Sequence, residues 1–242
     1  VLFRSPILAL TATATPAVVE DIQRQLQFRT PNVYKMSFAR ANLSYIVRRT
    51  MDKEAELLHI LRQTSGSSIV YTRSREATRE LAKMLMQQGI SATWYHAGLE
   101  PSVKEERQNL WQTDKVRVMV ATNAFGMGID KPDVSMVIHP DAPNSIEEYF
   151  QEAGRAGRDG NQAYAVLLYE EDDAYKLKCR VASSFPEKEL IRTIYNQIAY
   201  FFVVGVGCGA GHTFEFSLER FCRAYRHFPT QVHTSLELLQ RA

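Results

Sequence analysis

Cysteine is scarce in this 242-residue chain. Cys179, Cys208 and Cys222 are odd in number and far apart, with no CxxC pair. That argues against a disulfide framework and against a four-ligand zinc site, and it fits a reducing, cytoplasmic setting. Long apolar runs are also missing. IAYFFVVGVG (198–207) is the strongest candidate and falls well short of the ~20 residues a membrane span needs. The opening VLFRSP lacks a signal-peptide layout and reads as cut from something longer, with residues 1–5 uninformative. No charge sign dominates: 29 Lys+Arg against 27 Asp+Glu leave a net charge of +2, so any polyanion site must be local. Neither GxxxxGK[ST] nor DExH occurs, so a phosphate-cradling loop and its Mg2+ carboxylate are both absent from the sequence.

What the chain does have, from about residue 52 to 170, is an alternation of helical and strand patterns. DKEAELLHILRQT repeats apolar residues at Leu57, Leu58 and Leu61 and ends at a Ser-Gly-Ser turn. SIVYT (68–72), ISATWYH (90–96), VRVMVAT (116–122), VSMVIH (134–139) and AYAVLLY (163–169) read as strands. Ser74 is suited to cap a helix that stops at Gly89, and Pro101 to open the next. Ser145 with Glu148 forms a capping box for a third, which would carry the arginines that follow. Five strands separated by helices predict an α/β fold with a parallel, doubly wound sheet, whose ligands gather at the carboxyl ends of the strands.

The two ends stand apart. PILALTATATPAVVEDIQRQL (6–26) reads as a strand, a Thr-rich turn and a helix with Thr15 as cap and Pro16 at its first position, but it has no visible sheet partner. After residue 185 the pattern is helical and aromatic. SLERFCRAY and TQVHTSLELLQRA flank a four-residue turn like a helix-turn-helix, with Thr230 as cap of the second helix. GVGCGAG (205–211) lacks the lysine of a phosphate loop and is followed by strand-like HTFEF, so a flexible interdomain turn is expected.

Four polar loops fall at one edge of the predicted sheet. In ATNAFGMGIDKPDV (121–134), Thr122 and Asn123 offer short polar groups, Gly126 and Gly128 allow close backbone approach, and Asp130 is suited to ribose hydroxyls. An ordinary turn with a solvated carboxylate would look the same. YTRSR (71–75) ends a strand with Arg73 and Arg75, and WYHAGLEP (94–101) ends one with His96; a solvated helix start and a packed histidine are the plain alternatives. QEAGRAGRDG (151–160) sets Arg155 and Arg158 in a glycine- and alanine-rich stretch. Either they complement a helix C-terminus, or their planar, permanently charged forks reach a phosphate from outside.

LALTATA (8–14), IVYTRSR (69–75), YHAGL (95–99), VMVATNAFGMGIDKPDV (118–134) and QEAGRAGRDG (151–160) resemble, in order and spacing, the successive motifs of RecQ-type DNA helicases. FGMGIDKP with QEAGRAGRDG favours that family over RNA helicases of the DEAD-box type. The resemblance implies a superfamily 2 motor with two RecA-like lobes that hydrolyses ATP in its cleft, with Mg2+, and steps 3′ to 5′ on single-stranded DNA in recombination and repair. It implies Arg158 as arginine finger with Arg155 beside it, and Asp130, Gly128 and Gln151 at the nucleotide. Arg73, Ser74, His96, Thr122 and Asn123 would track DNA phosphates, and Thr11 and Thr13 would couple nucleotide state to DNA grip. On this basis residues 1–30 are a remnant of the first lobe and 31–175 the second. Residues 176–242 are then a linker and a truncated winged-helix-like segment without the family's four-cysteine zinc module.

ATP and Mg2+ would be bound mainly by the absent first lobe, and no zinc is expected. Single-stranded and forked DNA are the expected partners, with single-strand-binding or recombination proteins as unidentified others, no membrane, and a nucleoid association if the source is bacterial. Two rival classes stay open: a DNA-binding module without turnover, and a DEAD-box-like RNA remodeller.

Overall fold

The structure is a computed structural model that describes residues 7–30, 32–126, 129–205, 208–209 and 211–241. It divides into two compact units, residues 1–170 and 171–242.

The first unit is built on a six-stranded sheet in the order β1-β6-β5-β2-β4-β3, with every neighbouring pair parallel. The strands are β1 (Leu43–Arg49), β2 (Ser67–Tyr71), β3 (Ala92–Tyr95), β4 (Val118–Ala121), β5 (Val134–His139) and β6 (Ala163–Tyr169). The helices are α1 (Pro16–Gln25), α2 (Lys53–Gln63), α3 (Arg75–Gln87), α4 (Pro101–Gln112) and α5 (Ile146–Ala153). β2 and β4 are buried at every position, which is why they read as unbroken apolar runs.

Side chains alternate across the sheet. Val70, Val118, Val120 and Ile138 pack with Leu57 and Leu61 of α2 and Leu85 of α3. Ile69, Tyr71, Met119 and Val137 pack on the other face with Trp111 of α4 and Ala153 of α5. Local chemistry sets the helix starts: the Oγ atoms of Ser74 and Ser145 accept from the Ala77 and Glu148 amides at 3.0 and 3.1 Å. Gly89, at φ +76°, stops α3 in a conformation that costs glycine little.

Several expectations need correction. The sheet has a sixth strand, β1, which pairs with β6 at the edge. Among the described residues the connection from β4 to β5 holds no helix, and it passes β2, which lies between them in the sheet. Residues 7–10 form no strand and are exposed; an apolar run without a ladder partner cannot satisfy its backbone as a strand. Helix α1 does start as expected, with Thr15 Oγ1 accepting from Val18. Helix α5 ends at Ala153, so Arg155 and Arg158 lie on the turn after it and not on the helix.

The second unit holds α6 (Asp173–Ser184), α7 (Lys188–Phe201), α8 (Leu218–Tyr225) and α9 (Pro229–Arg241). Ile194, Phe221, Cys222 and Val232 form its core, with Phe201, Phe216 and Leu236 against them. Helix α6 escaped the sequence pattern. Thr230 lies inside the first turn of α9 and not at its cap, because Pro229 already opens the helix. HTFEF is not a strand, since no partner strand exists among the unit's described residues. GVGCGAG, of which Val206, Gly207 and Ala210 lie outside the described residues, falls within this unit and not between the two. Among the described residues no helix is long and apolar enough to cross a membrane.

Candidate functional site

Because all strands run parallel, their carboxyl ends share one edge, and the motif residues assemble there in two groups.

The first group surrounds a small cleft of about 70 Å³ at the tips of β2, β4 and β5, lined by Arg73, Thr122, Asn123, Asn144, Glu148 and Glu152 among others. Arg73 Nη1 donates to the Ala142 carbonyl at 2.9 Å and Nη2 to Asn144 Oδ1 at 2.6 Å. The Thr122 amide donates to the Tyr95 carbonyl at 3.2 Å, tying the tips of β4 and β3 together. Asn123 Nδ2 donates to Glu148 Oε1 at 3.3 Å, and Glu148 Oε2 accepts from the Asn144 amide at 2.8 Å. Glu148 thus turns back to the residue before the Ser145 cap. Ser74 spends its hydroxyl on capping α3. Arg73 is the one Lys or Arg in the lining, against Asp141, Glu148 and Glu152, so a phosphate here would be met by amide and hydroxyl dipoles more than by net charge.

His96 stands apart from that cleft, at the tip of β3. Burial pushes its pKa down, and Arg75, Arg107, Lys104 and Arg79 push the same way, so the ring is neutral at pH 7. Its Nδ1 is buried without a hydrogen-bond partner among the described residues. Arg75 lies against Gly98, where a Cβ would come within 2.7 Å of its Nη1, and Arg107 stacks 3.7 Å from the Trp94 ring centre. This corner is cationic, as an approaching polyanion requires.

The second group is the turn after α5. Arg155 Nη1 donates to the Gly126 carbonyl at 2.7 Å, and its guanidinium fills the space a side chain at 126 would need. Among the described residues Arg155 Nε is buried without a hydrogen-bond partner. Arg158 Nη1 donates to Asp130 Oδ1 at 2.7 Å and to the Ile129 carbonyl at 3.2 Å. The backbone joins in: the Gly157 amide donates to Val134 O at 2.8 Å and the Asp159 amide to Pro132 O at 3.0 Å. Two motifs some thirty residues apart are thereby stitched into one surface. Gly128 lies outside the described residues. The Arg158–Asp130 pair is open to water, at 36% and 84% side-chain exposure, so it is worth about 0–1 kcal/mol and is easily exchanged for another partner. Gln151 Nε2 donates to Thr13 Oγ1 at 3.0 Å, and Thr11 Oγ1 accepts from the Thr13 amide at 3.3 Å. The N-terminal motif therefore touches the residue that precedes the arginine turn by three positions.

Sequence reasoning missed the buried pair beneath the cleft. His139 Nε2 lies 2.9 Å from Glu152 Oε2, with the imidazole stacked on Tyr71 at 5.5 Å and edge-on to Tyr149 at 5.0 Å. Tyr71 donates to the Phe125 carbonyl at 2.8 Å, and burial pushes its phenol pKa up. A histidine closing a buried strand was the available signal. Arg40 and Asn42 were missed too; they grip the arginine turn from outside.

Residues 52–160 match the helicase conserved C-terminal domain family. The chain is 48% identical over 170 residues to the ATP-dependent DNA helicase RecQ of Pasteurella multocida, covering 70% of this chain and 27% of that protein. It is 38% identical over 205 residues to the RecQ-like DNA helicase BLM of Xenopus laevis, covering 81% of this chain and 15% of that one. Among solved structures it resembles the Escherichia coli DEAD-box protein SrmB, crystallised with the regulator of ribonuclease activity A. That match has a TM-score of 0.51 and 33% identity, covering 59% of this chain and 85% of that one. The class is thus a helicase C-terminal lobe with a RecA-like parallel sheet, followed by helices. Within that class the chain belongs with the RecQ-type helicases, and it spans about a quarter or less of the length of the two relatives described.

Proposed function

We propose that the chain works as the finger-bearing lobe of an ATP-dependent DNA helicase that moves 3′ to 5′ on single-stranded and forked DNA in recombination and repair. The observation that carries this reading is the interlocked surface of Arg155, Arg158 and Asp130 at the carboxyl edge of the sheet. Its residues fit a nucleotide. The described hydrogen bonds of Arg158 all use Nη1, leaving the rest of its fork for phosphate oxygens, and Asp130 is exposed enough to accept from ribose hydroxyls. ATP with Mg2+, when bound, supplies the phosphoryl group whose hydrolysis drives movement. Arg158 then places positive charge where negative charge develops, and Arg155, anchored on Gly126, keeps a second cation beside it. Gln151 and Thr13, in contact, are suited to pass a change at this surface to the N-terminal motif. Thr122, Asn123 and Arg73 hold backbone phosphates without reading sequence, and the cationic corner at His96 extends that track. The phosphate-cradling loop and the Mg2+ carboxylate come from another lobe, because no sequence here can supply them. Three widely spaced cysteines suit work in a reducing compartment.

The test is Arg158→Ala in the full-length helicase that contains this chain. DNA-stimulated kcat should fall ~10³-fold or more, with nucleotide and single-stranded DNA binding nearly intact. Lysine should rescue little, because a point charge does not reproduce the fork. A stable variant with normal kcat would end the finger assignment. The 33% identity to a DEAD-box protein keeps a DEAD-box-like RNA remodeller as the second reading. Turnover stimulated by single-stranded RNA but not DNA would select it.

A further inference from the structure

The turn that carries Arg155 and Arg158 is held from a distant part of the chain. Residues 32–42 have no regular secondary structure and are mostly exposed, but Arg40 and Asn42 are half-buried. Arg40 Nη1 donates to the Gly154 carbonyl at 3.0 Å, and its Nη2 donates to the Gly157 carbonyl. Asn42 Nδ2 donates to the same Gly157 carbonyl at 2.7 Å and to the Asn161 carbonyl at 2.8 Å. The Asn42 carbonyl in turn accepts from the Ala163 amide at 2.8 Å, so the gripping residue is itself fixed to β6.

The choice of carbonyls matters. The carbonyl of residue 154 belongs to the peptide plane that enters Arg155, and that of residue 157 to the plane that enters Arg158. Fixing a peptide plane fixes where the next Cα sits and leaves φ as the one backbone torsion that turns its Cβ. One fork therefore holds the peptide plane that enters each arginine, and Asn42 holds the second of those planes as well. Gly157 is at φ +61°, and a Cβ there would come within 2.7 Å of Asn42 Nδ2, so the bare backbone is what lets Asn42 reach. Arg40 suits the task because a planar, permanently charged fork can donate two bonds in fixed relative geometry.

We propose that Arg40 and Asn42 are positioning residues: they aim Arg158, and with it Arg155, from a segment 114 to 119 residues away in sequence. This rests on the reading of Arg158 as the group that meets the transferred phosphoryl. A plain staple between a loop and the domain would use the same bonds, but it forecasts different kinetics.

The experiment compares R40A, R40K, N42A, R158A and the double variant R40A/R158A in the full-length helicase. It measures DNA-stimulated kcat, KM for ATP, affinity for single-stranded DNA and thermal stability on each preparation. R40A should lower kcat ~10- to 100-fold, as expected for a displacement of about 1 Å, with KM and DNA affinity changed by less than ~3-fold. R40K should recover little, since an ammonium does not reproduce a rigid fork over two carbonyls. N42A leaves the fork in place, so it should lose only a few-fold in kcat, and it carries the test if R40A does not fold. The double variant should turn over no more slowly than R158A, because a finger that is absent cannot be misaimed. Multiplying effects of R40A and R158A, or normal kcat in R40A and N42A alongside a dead R158A, would overturn the positioning role while leaving the finger intact. Normal kcat in R158A would overturn both.

Discussion

Gly157→Ala should be among the most damaging single-methyl changes available in the first unit. The residue sits at φ +61°, where an L-residue pays about 1–2 kcal/mol for the left-handed backbone. Its new Cβ would meet the Ala163 Cβ at 2.7 Å and the Asn161 carbonyl oxygen at 2.9 Å. Neither can swing away: one is on buried β6 and the other is backbone. Overpacking of that kind costs about 1–3 kcal/mol. Asn42 Nδ2, also 2.7 Å away, would be pushed off the Gly157 carbonyl, for about 1 kcal/mol more. The total is about 3–6 kcal/mol.

Gly160→Ala is the control. It has a left-handed φ of +85° but nothing within 4 Å, so it should cost only the backbone's about 1–2 kcal/mol. Both tryptophans, Trp94 and Trp111, lie in the first unit, so urea unfolding followed by tryptophan fluorescence reads that unit directly. The backbone cost is common to both, so about 2–4 kcal/mol separates them. With a slope of about 1–3 kcal/mol per molar urea, the Gly157 variant should unfold at a midpoint ~0.7–4 M below the Gly160 variant. Midpoints that coincide would refute the packing described for the arginine turn.

On the proposed reading the chain alone should show no DNA-stimulated ATP hydrolysis, since an arginine finger without a phosphate cradle cannot turn over; turnover that survives repurification would refute this. Zinc should not copurify at one equivalent, since of Cys179, Cys208, Cys222 and His212 only Cys208 and His212 stand at the two- to four-residue spacing of a zinc site, and a tetrahedral site needs a second such pair. Elemental analysis with chelation checks that. His96 should make the first unit acid-sensitive. Its folded-state pKa lies below the unfolded value near 6.5, so its contribution is present above about pH 6.5 and is lost as pH falls through the folded value. Melting temperatures between pH 7.5 and 5 should fall less steeply in His96→Gln than in the parent, and parallel curves would count against the assignment.

The parts of the fold legible in the sequence were those governed by neighbours. Ser74 and Ser145 mark helix starts through bonds that span three residues, Pro101 marks one through its fixed φ, and β2 and β4 are too apolar to be anything but buried. β1 was not legible because it is an edge strand with one buried face at best: Ser44, Arg48 and Arg49 break its apolar pattern, and its partner is far along the chain. α6 escaped because its cap residue Asp172 makes no side-chain capping bond and Asp173 is its one buried residue. Residues 7–10 show the opposite failure, an apolar run with nothing to pair with. At the site, Arg155, Arg158 and Asp130 could be named from their motifs, but their mutual pairing could not. Arg40 and Asn42 had no motif to announce them. Their partners are backbone carbonyls, which leave no mark on residue identity except the glycine at 157.

The edge position of β1 also sets an order of events during synthesis. Leu43 finds its ladder partner only at Ala163, about 120 residues later. At roughly 5–20 residues per second, the ribosome holds β1 without its partner for about 6–24 s. Throughout that interval Tyr45 and Val47, still 47% and 64% exposed in the finished fold, sit in a segment whose unpaired backbone groups can pair with other chains. Slow translation upstream of residue 169 prolongs that hazard. The nascent chain is then at its stickiest just before its last strand closes the sheet and the grip on the arginine turn can form.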